Sequence, residues 1–326
     1  MLVLLGHLHG TSGFPDLGIE PVFGDVANLG VVVFFVISGF LITLLLLKEW
    51  DRTGVISLRG FYARRAVRIL PPAILFALGL AFASWRGWIT LTPTDWITSL
   101  TYTVNYYPGR SWWVGHLWSL SVEEQFYLLW PLAMAVLGPR RSMIVAGAVV
   151  ALGPVSRLVQ RSAFAHSPIR DLEIFPSVAD ALAMGCLLAS LRARPDSERV
   201  LGWLRKGPIV GGLVLVAFVV NRWRTYTLVN AFGFSLICLV IALAIDWTVS
   251  NSAGKIGSFL NSRVMVAIGL LSYSLYLWQQ PFLNRHQTVP ITAFPMSLVA
   301  TAIAATASYL LVERPLLAWR SRLRAR

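Results

Sequence analysis

Three short stretches of this chain place proton-handling or anion-handling side chains at spacings that could do chemistry. The first closes an apolar run, Leu4-Leu5-Gly6-His7-Leu8-His9-Gly10-Thr11. A histidine ring tuned near neutrality is the side chain best suited to take a proton from a hydroxyl at physiological pH. His7 and His9 are two residues apart, so on a helix they point about 200° from each other and only one faces a bundle. An interfacial histidine wetted by lipid headgroups fits the same pattern. The second stretch runs from His116 to Tyr127, His-Leu-Trp-Ser-Leu-Ser-Val-Glu-Glu-Gln-Phe-Tyr. Helical spacing sets His116, Leu120, Glu123 and Tyr127 on one stripe, with Glu123 about 10 Å further along the axis than His116. A carboxylate at that depth needs a partner, either a histidine at the same level or an arginine of the bundle, and a plain helix–helix hydrogen bond is the simpler role. Glu124, turned about 100° away, can cap or snorkel.

The third stretch is Arg64-Arg65-Ala66-Val67-Arg68-Ile69-Leu70-Pro71-Pro72. Arg65 and Arg68 are three residues apart, so a helix brings them within about 5–6 Å on one side, a separation suited to phosphate oxygens. Basic residues that merely obey membrane topology give the same spacing. Weaker candidates for substrate contact are His116, Asp180 in Pro176-Ser177-Val178-Ala179-Asp180, and Ser38 beside Gly39. Asp180 also suits a helix cap, and Ser38-Gly39 also suits close helix packing. Cys186 and Cys238 both sit in apolar windows, which excludes a disulfide framework or CxxC pair, and no metal site is expected.

These residues must be positioned by membrane helices. Of 326 residues 56% are apolar and 13% charged, and the mean hydropathy is +0.66. An ordinary soluble globule carries about 25% charged residues. The expected fold is all-α, a polytopic membrane protein of about ten spans near 1–9, 28–47, 69–85, 114–137, 143–160, 178–191, 208–221, 228–247, 264–283 and 294–312. Residues 1–326 read as a single transmembrane domain. The formal charge of +13 lies between the apolar blocks, which favours membrane topology over nucleic acid as a partner. On alternate sides, 20 of the 28 Lys and Arg residues fall in 48–68, 138–142, 192–207, 248–263 and the C-terminal tail. That side is expected to be cytoplasmic, with the C-terminus there and the protein in the inner or plasma membrane. The first span is short: nine residues reach about 14 Å against the ~30 Å of a hydrocarbon core, so it reads as truncated.

Taken together the motifs resemble the membrane-bound acyltransferase-3 family, which includes bacterial O-acyltransferases. The resemblance rests on His7, on Gly30-Val31-Val32-Val33-Phe34-Phe35-Val36-Ile37-Ser38-Gly39-Phe40-Leu41-Ile42-Thr43, on the RxxR pair Arg65 and Arg68, and on Trp118 through Tyr127. The later segments Leu271-Ser272-Tyr273-Ser274-Leu275-Tyr276-Leu277-Trp278 and Val312-Glu313-Arg314-Pro315 extend it over nearly the whole chain. Two departures stand out. The basic residue that relatives carry about eleven positions before the first histidine would fall ahead of Met1, and Gln279 stands where relatives often have histidine. No fused extracytoplasmic hydrolase-like domain is expected, which leaves transfer to the membrane domain or to a separate acyl-accepting partner protein.

The resemblance implies an acyl-CoA donor, most simply acetyl-CoA, and an acceptor hydroxyl on an extracytoplasmic cell-surface glycan or secreted small molecule. It implies that Arg65 and Arg68 hold the donor's phosphates and that His7, oriented by Glu123, acts as base or carries the acyl group itself. Membrane lipid is the other expected partner. The competing class is a proton-coupled transporter or flippase using His7, Glu123 and Asp180 as a relay. It lacks support from internal repeats or paired broken helices.

Overall fold

The computed structural model describes residues 1–15, 20–206, 211–212 and 227–318. Among these every regular element is helical, as the all-α expectation requires. The elements are α1 (Leu2–Leu8), α2 (Glu20–Thr53), α3 (Leu58–Trp85), α4 (Pro93–Leu100), α5 (Trp112–Gly115), α6 (Leu117–Ala163), α7 (Phe175–Arg192), α8 (Glu198–Leu204), α9 (Thr227–Ser250), α10 (Lys255–Leu260), α11 (Arg263–Phe282) and α12 (Met296–Ser308). Local chemistry sets several of their starts. The Ser57 hydroxyl accepts the Gly60 N–H at α3, and Thr92 and Asp95 form a reciprocal capping box at α4.

Six stretches among the described residues are long and apolar enough to cross a bilayer: Val26–Thr53, Leu58–Trp85, Trp112–Ala163, Pro168–Arg192, Thr227–Ser250 and Met296–Ala318. These six stretches account for seven of the about ten expected spans, because Trp112–Ala163 carries two of them. Residues 1–9 supply only the seven-residue α1, about 10 Å long. The expected span 208–221 lies outside the described residues apart from Gly211 and Gly212. At 264–283, α11 is 20 residues long, but Ser272, Ser274, Gln279 and Gln280 dilute its apolar character.

The expected spans 114–137 and 143–160 share one stretch, and Gly138 separates them. Its φ of 72° and ψ of 168° break the helix, a conformation that glycine adopts without steric cost. The Ser142 hydroxyl then donates to the Ala133 carbonyl at 3.2 Å. In a continuous helix those residues would be about 14 Å apart along the axis, so the chain turns back on itself here.

The core is built by α2, the first half of α6, α7 and α9 around Phe35, Val36, Leu46, Met134 and Leu182. Its tightest contact is glycine-mediated. A Cβ on Gly39 would lie 1.9 Å from the Leu182 carbonyl oxygen, and one on Gly185 would lie 2.0 Å from that of Val36. Backbone meets backbone across α2 and α7 at the Ser38-Gly39 patch, as small residues allow between membrane helices. Leu41, Leu45, Ile74, Leu78, Val136 and Ile144 stay exposed and form an apolar outer surface suited to lipid.

Two further clusters tie the site to this core. Phe76, Val114, Leu117, Leu120 and Leu277 join α3, the start of α6 and α11. Leu4, Leu8 and Leu283 pin α1 against α11. One end of the bundle collects the basic turns: Gly138 faces Trp50, while Arg192 and Arg205 both bind the buried Asp246. The first turn of α6, His7 and the end of α11 gather at the opposite end.

Candidate active site

α1 is too short to span a membrane, yet its packing on α11 fixes His7 against Gln279. The two lie 272 residues apart in sequence, and His7 Nδ1 approaches Gln279 Oε1 at 2.6 Å. A carbonyl oxygen only accepts, so Nδ1 carries the proton and Nε2 keeps its lone pair. Gln279 is fully buried, and its Nε2 has no hydrogen-bond partner among the described residues. The expected orienting residue, Glu123, is engaged elsewhere, so the contact that orients His7 is corrected to Gln279. The family-level departure at position 279 therefore falls on the residue that touches the histidine.

The ring borders a cavity of about 350 Å³ whose wall includes His7, Asn28, Trp112, His116, Tyr276 and Gln280. Trp112 is the hinge of this wall. Its ring lies 5.8 Å from that of His7 and 4.9 Å from that of His286, with the Arg285 guanidinium 5.2 Å from the indole. Its indole N–H donates to the Gln280 carbonyl at 2.9 Å, and the Gln280 amide donates back to the Trp112 carbonyl. This reciprocal pair locks α5 to α11.

His116 is buried in the same wall. Its Nε2 donates to the Leu277 carbonyl at 3.1 Å, which fixes the proton there and leaves Nδ1 a lone pair. That Nδ1 is sealed from solvent and has no hydrogen-bond partner among the described residues. The Tyr276 hydroxyl donates to the His116 carbonyl at 2.8 Å and steadies the bend between α5 and α6.

Arg65, Glu123 and Glu124 form a second cluster deeper in the bundle. The Arg65 Nε donates to both oxygens of Glu124 at 3.2 Å, and its Nη2 donates to Oε1 at 2.6 Å. The same guanidinium lies 3.8 Å from Glu123 Oε1 and 3.1 Å from the centre of the Tyr127 ring. Glu123 itself accepts from the Ser38 hydroxyl at 2.7 Å and from the Tyr127 hydroxyl one turn along α6. Two carboxylates thus share one cation, which Coulomb attraction and hydrogen bonds hold in place at low dielectric. Next to the cluster and outside the spanning helices, burial first and the Glu124 charge second push the Tyr102 phenol up to about 12. It stays protonated at neutral pH.

The arginine pair does not face one way. Arg65 turns into the bundle, whereas Arg68 is exposed, makes no hydrogen bond or ion pair among the described residues, and acts on the charge of Glu313. Asp180 is buried completely. Both its oxygens accept from Arg157, at 3.0 and 2.9 Å, and Ser235 binds it too. Its place is inside a closed ion pair between α6, α7 and α9. Nothing in the sequence marks Arg157 as its partner, because that residue reads as one more basic position near a helix end.

The acyltransferase-3 family model, an acyltransferase domain, matches residues 1–312.

The chain belongs to the acyltransferase-3 family.

It is similar to the O-acetyltransferase OatA of Staphylococcus aureus strain NCTC 8325 / PS 47 and that of strain COL, at 30% identity over 324 residues in each case. Those alignments cover 88% of this chain and 52% of each relative, so the chain spans about half the length of the curated relatives it matches. No solved structure matches it. The motifs from His7 to Trp278 lie inside the matched family region, and the Val312–Pro315 motif begins at its last residue.

Proposed function

We propose that this chain transfers an acyl group, most simply the acetyl group of acetyl-CoA, to a hydroxyl of an extracytoplasmic glycan or secreted small molecule. One observation carries the reading: in an acyltransferase-family chain, His7 is held through Nδ1 by Gln279 with Nε2 left to take a proton at a cavity of about 350 Å³. The acetyl group is suggested by the names of the relatives, which are O-acetyltransferases.

In the proposed reaction the acceptor hydroxyl gives its proton to Nε2 of His7 as its oxygen bonds to the thioester carbonyl carbon. The carbon–sulfur bond then breaks, and the departing thiolate takes that proton, leaving His7 as it began. His116, in the wall of the same cavity, is a proposed acceptor contact. Arg65 and Arg68 are the proposed donor contacts from the basic, cytoplasmic end. Arg68 is open to a phosphate, and Arg65 reaches one by releasing a Glu124 oxygen. The C-terminus shares that cytoplasmic side.

The test is incubation of the purified chain with radiolabelled acetyl-CoA. His7-dependent hydrolysis or transfer, lost in His7→Ala, supports the proposal. Proton-coupled uptake of a solute without CoA consumption would establish the transporter reading instead. Arg68→Glu should raise the KM for acetyl-CoA about tenfold or more through charge reversal at a phosphate contact. Accessibility labelling that puts His7 and Arg68 on one side of the membrane would sink the division of donor and acceptor ends.

A further inference from the structure

A second cavity of about 220 Å³ adjoins that of His7, and Asn28 and Trp118 belong to the walls of both. It is formed where the end of α6, the turn at Pro168–Asp171 and the starts of α7 and α9 meet. Three guanidinium groups line it, from Arg157, Arg161 and Arg170.

They are unequally engaged. Arg157 is saturated: it donates to Asp180, to Ser235, and to the carbonyls of Ser177 and Ala231. Arg161 reaches the exposed Asp171 through Nη1 at 3.5 Å, and its Nε is buried with no partner among the described residues. Arg170 makes no side-chain hydrogen bond or ion pair among the described residues, and its Nε is likewise sealed and unpartnered. The other carboxylate in the wall, Glu173, is bound by Arg110 at 2.8 Å. Among the described residues, Arg170 therefore brings a guanidinium without a counter-charge to this cavity, and Arg161 one held by the exposed Asp171 at 3.5 Å. Guanidinium forks match the geometry of carboxylate and phosphate oxygens.

We propose that this second cavity is an acceptor subsite that binds an oxyanion through Arg170 and Arg161, so that the acceptor is a hydroxylated molecule carrying a carboxylate or phosphate group. Trp118 and Asn28 stand between this cavity and that of His7, so an acceptor anchored here by its anion would reach past them to present its hydroxyl to His7. The identity of the acceptor rests on the proposed transfer reaction, whereas the anion preference does not.

The experiment is calorimetric titration of the detergent-solubilised full chain with three matched probes: methyl glucuronide, glucose 6-phosphate and neutral methyl glucoside. An anionic probe should bind about tenfold or more tightly than the glucoside, with the preference fading as salt rises. Whichever anion binds better identifies the source as carboxylate or phosphate. Arg170→Gln should abolish the preference, Arg170→Lys should keep part of it, and Arg161→Gln should weaken it. Equal binding of all three probes, or an Arg170→Gln protein that binds the anions as the native chain does, overturns the subsite. Anion preference retained without any His7-dependent acetyl-CoA consumption would overturn the transfer reaction alone.

Discussion

His7 and Gln279 stand at opposite ends of the sequence, and one hydrogen bond of 2.6 Å between them decides which ring nitrogen of the histidine is available for chemistry. Gln279→Leu removes the acceptor that holds Nδ1–H, so the ring loses its fixed tautomer. Acyl transfer should fall roughly ten- to a hundredfold in kcat with little change in acceptor KM. Gln279→Glu keeps an acceptor at that position and should retain more activity than Gln279→Leu. Steady-state kinetics of the purified variants check both outcomes; equal rates in Gln279→Leu and the native chain would mean that the contact does not position the base.

Arg65 is the only cation within 4 Å of Glu123 or Glu124 among the described residues. Arg65→Ala leaves two carboxylates facing each other in a bundle interior. That should destabilise the protein by about 3 kcal/mol, the lower end for breaking a buried pair because Arg65 and Glu124 keep 15% and 21% side-chain exposure. Adding Glu124→Gln should restore part of the loss by removing one uncompensated charge. Thermal melting in detergent measures the recovery, and a double variant less stable than Arg65→Ala would contradict this account.

The Arg157–Asp180 pair is shut away more completely. Asp180→Asn leaves a buried guanidinium without its counter-charge, at a cost of about 3–5 kcal/mol. Gly153→Ala should disturb the same pair from the side, since its Cβ would meet Asp180 Oδ2 at 2.5 Å. Replacing both partners with Met and Leu should recover most of the stability, as apolar isosteres of buried pairs often do. Chemical denaturation of the three variants tests the order.

Gly39→Ala and Gly185→Ala should be the most damaging single-methyl changes. Each new Cβ would overlap a backbone carbonyl oxygen at about 2 Å, and neither helix can rotate a backbone away. Overpacking of this kind costs about 1–3 kcal/mol or more. Gly147→Ala, with nothing within 4 Å of its Cβ, is the control and should fold normally. Expression yield and monodispersity of the three variants give the comparison.

The sequence alone determined which residues are polar inside apolar helices, which loops are basic and where the chain is helical, because hydropathy and the 3.6-residue period act within each segment. His7, Glu123, Ser38 and Asp180 were legible as costly polar positions for that reason. It also allowed an arginine of the bundle as the partner of Glu123, though not which one. Partnership was decided by tertiary structure. Helical periodicity assigns a face and a depth, but the rotation and register of one helix against another depend on packing at contacts such as Gly39 with Leu182. Only once α1, α3, α7 and α11 were seated did His7 meet Gln279, Arg65 meet Glu124 and Asp180 meet Arg157.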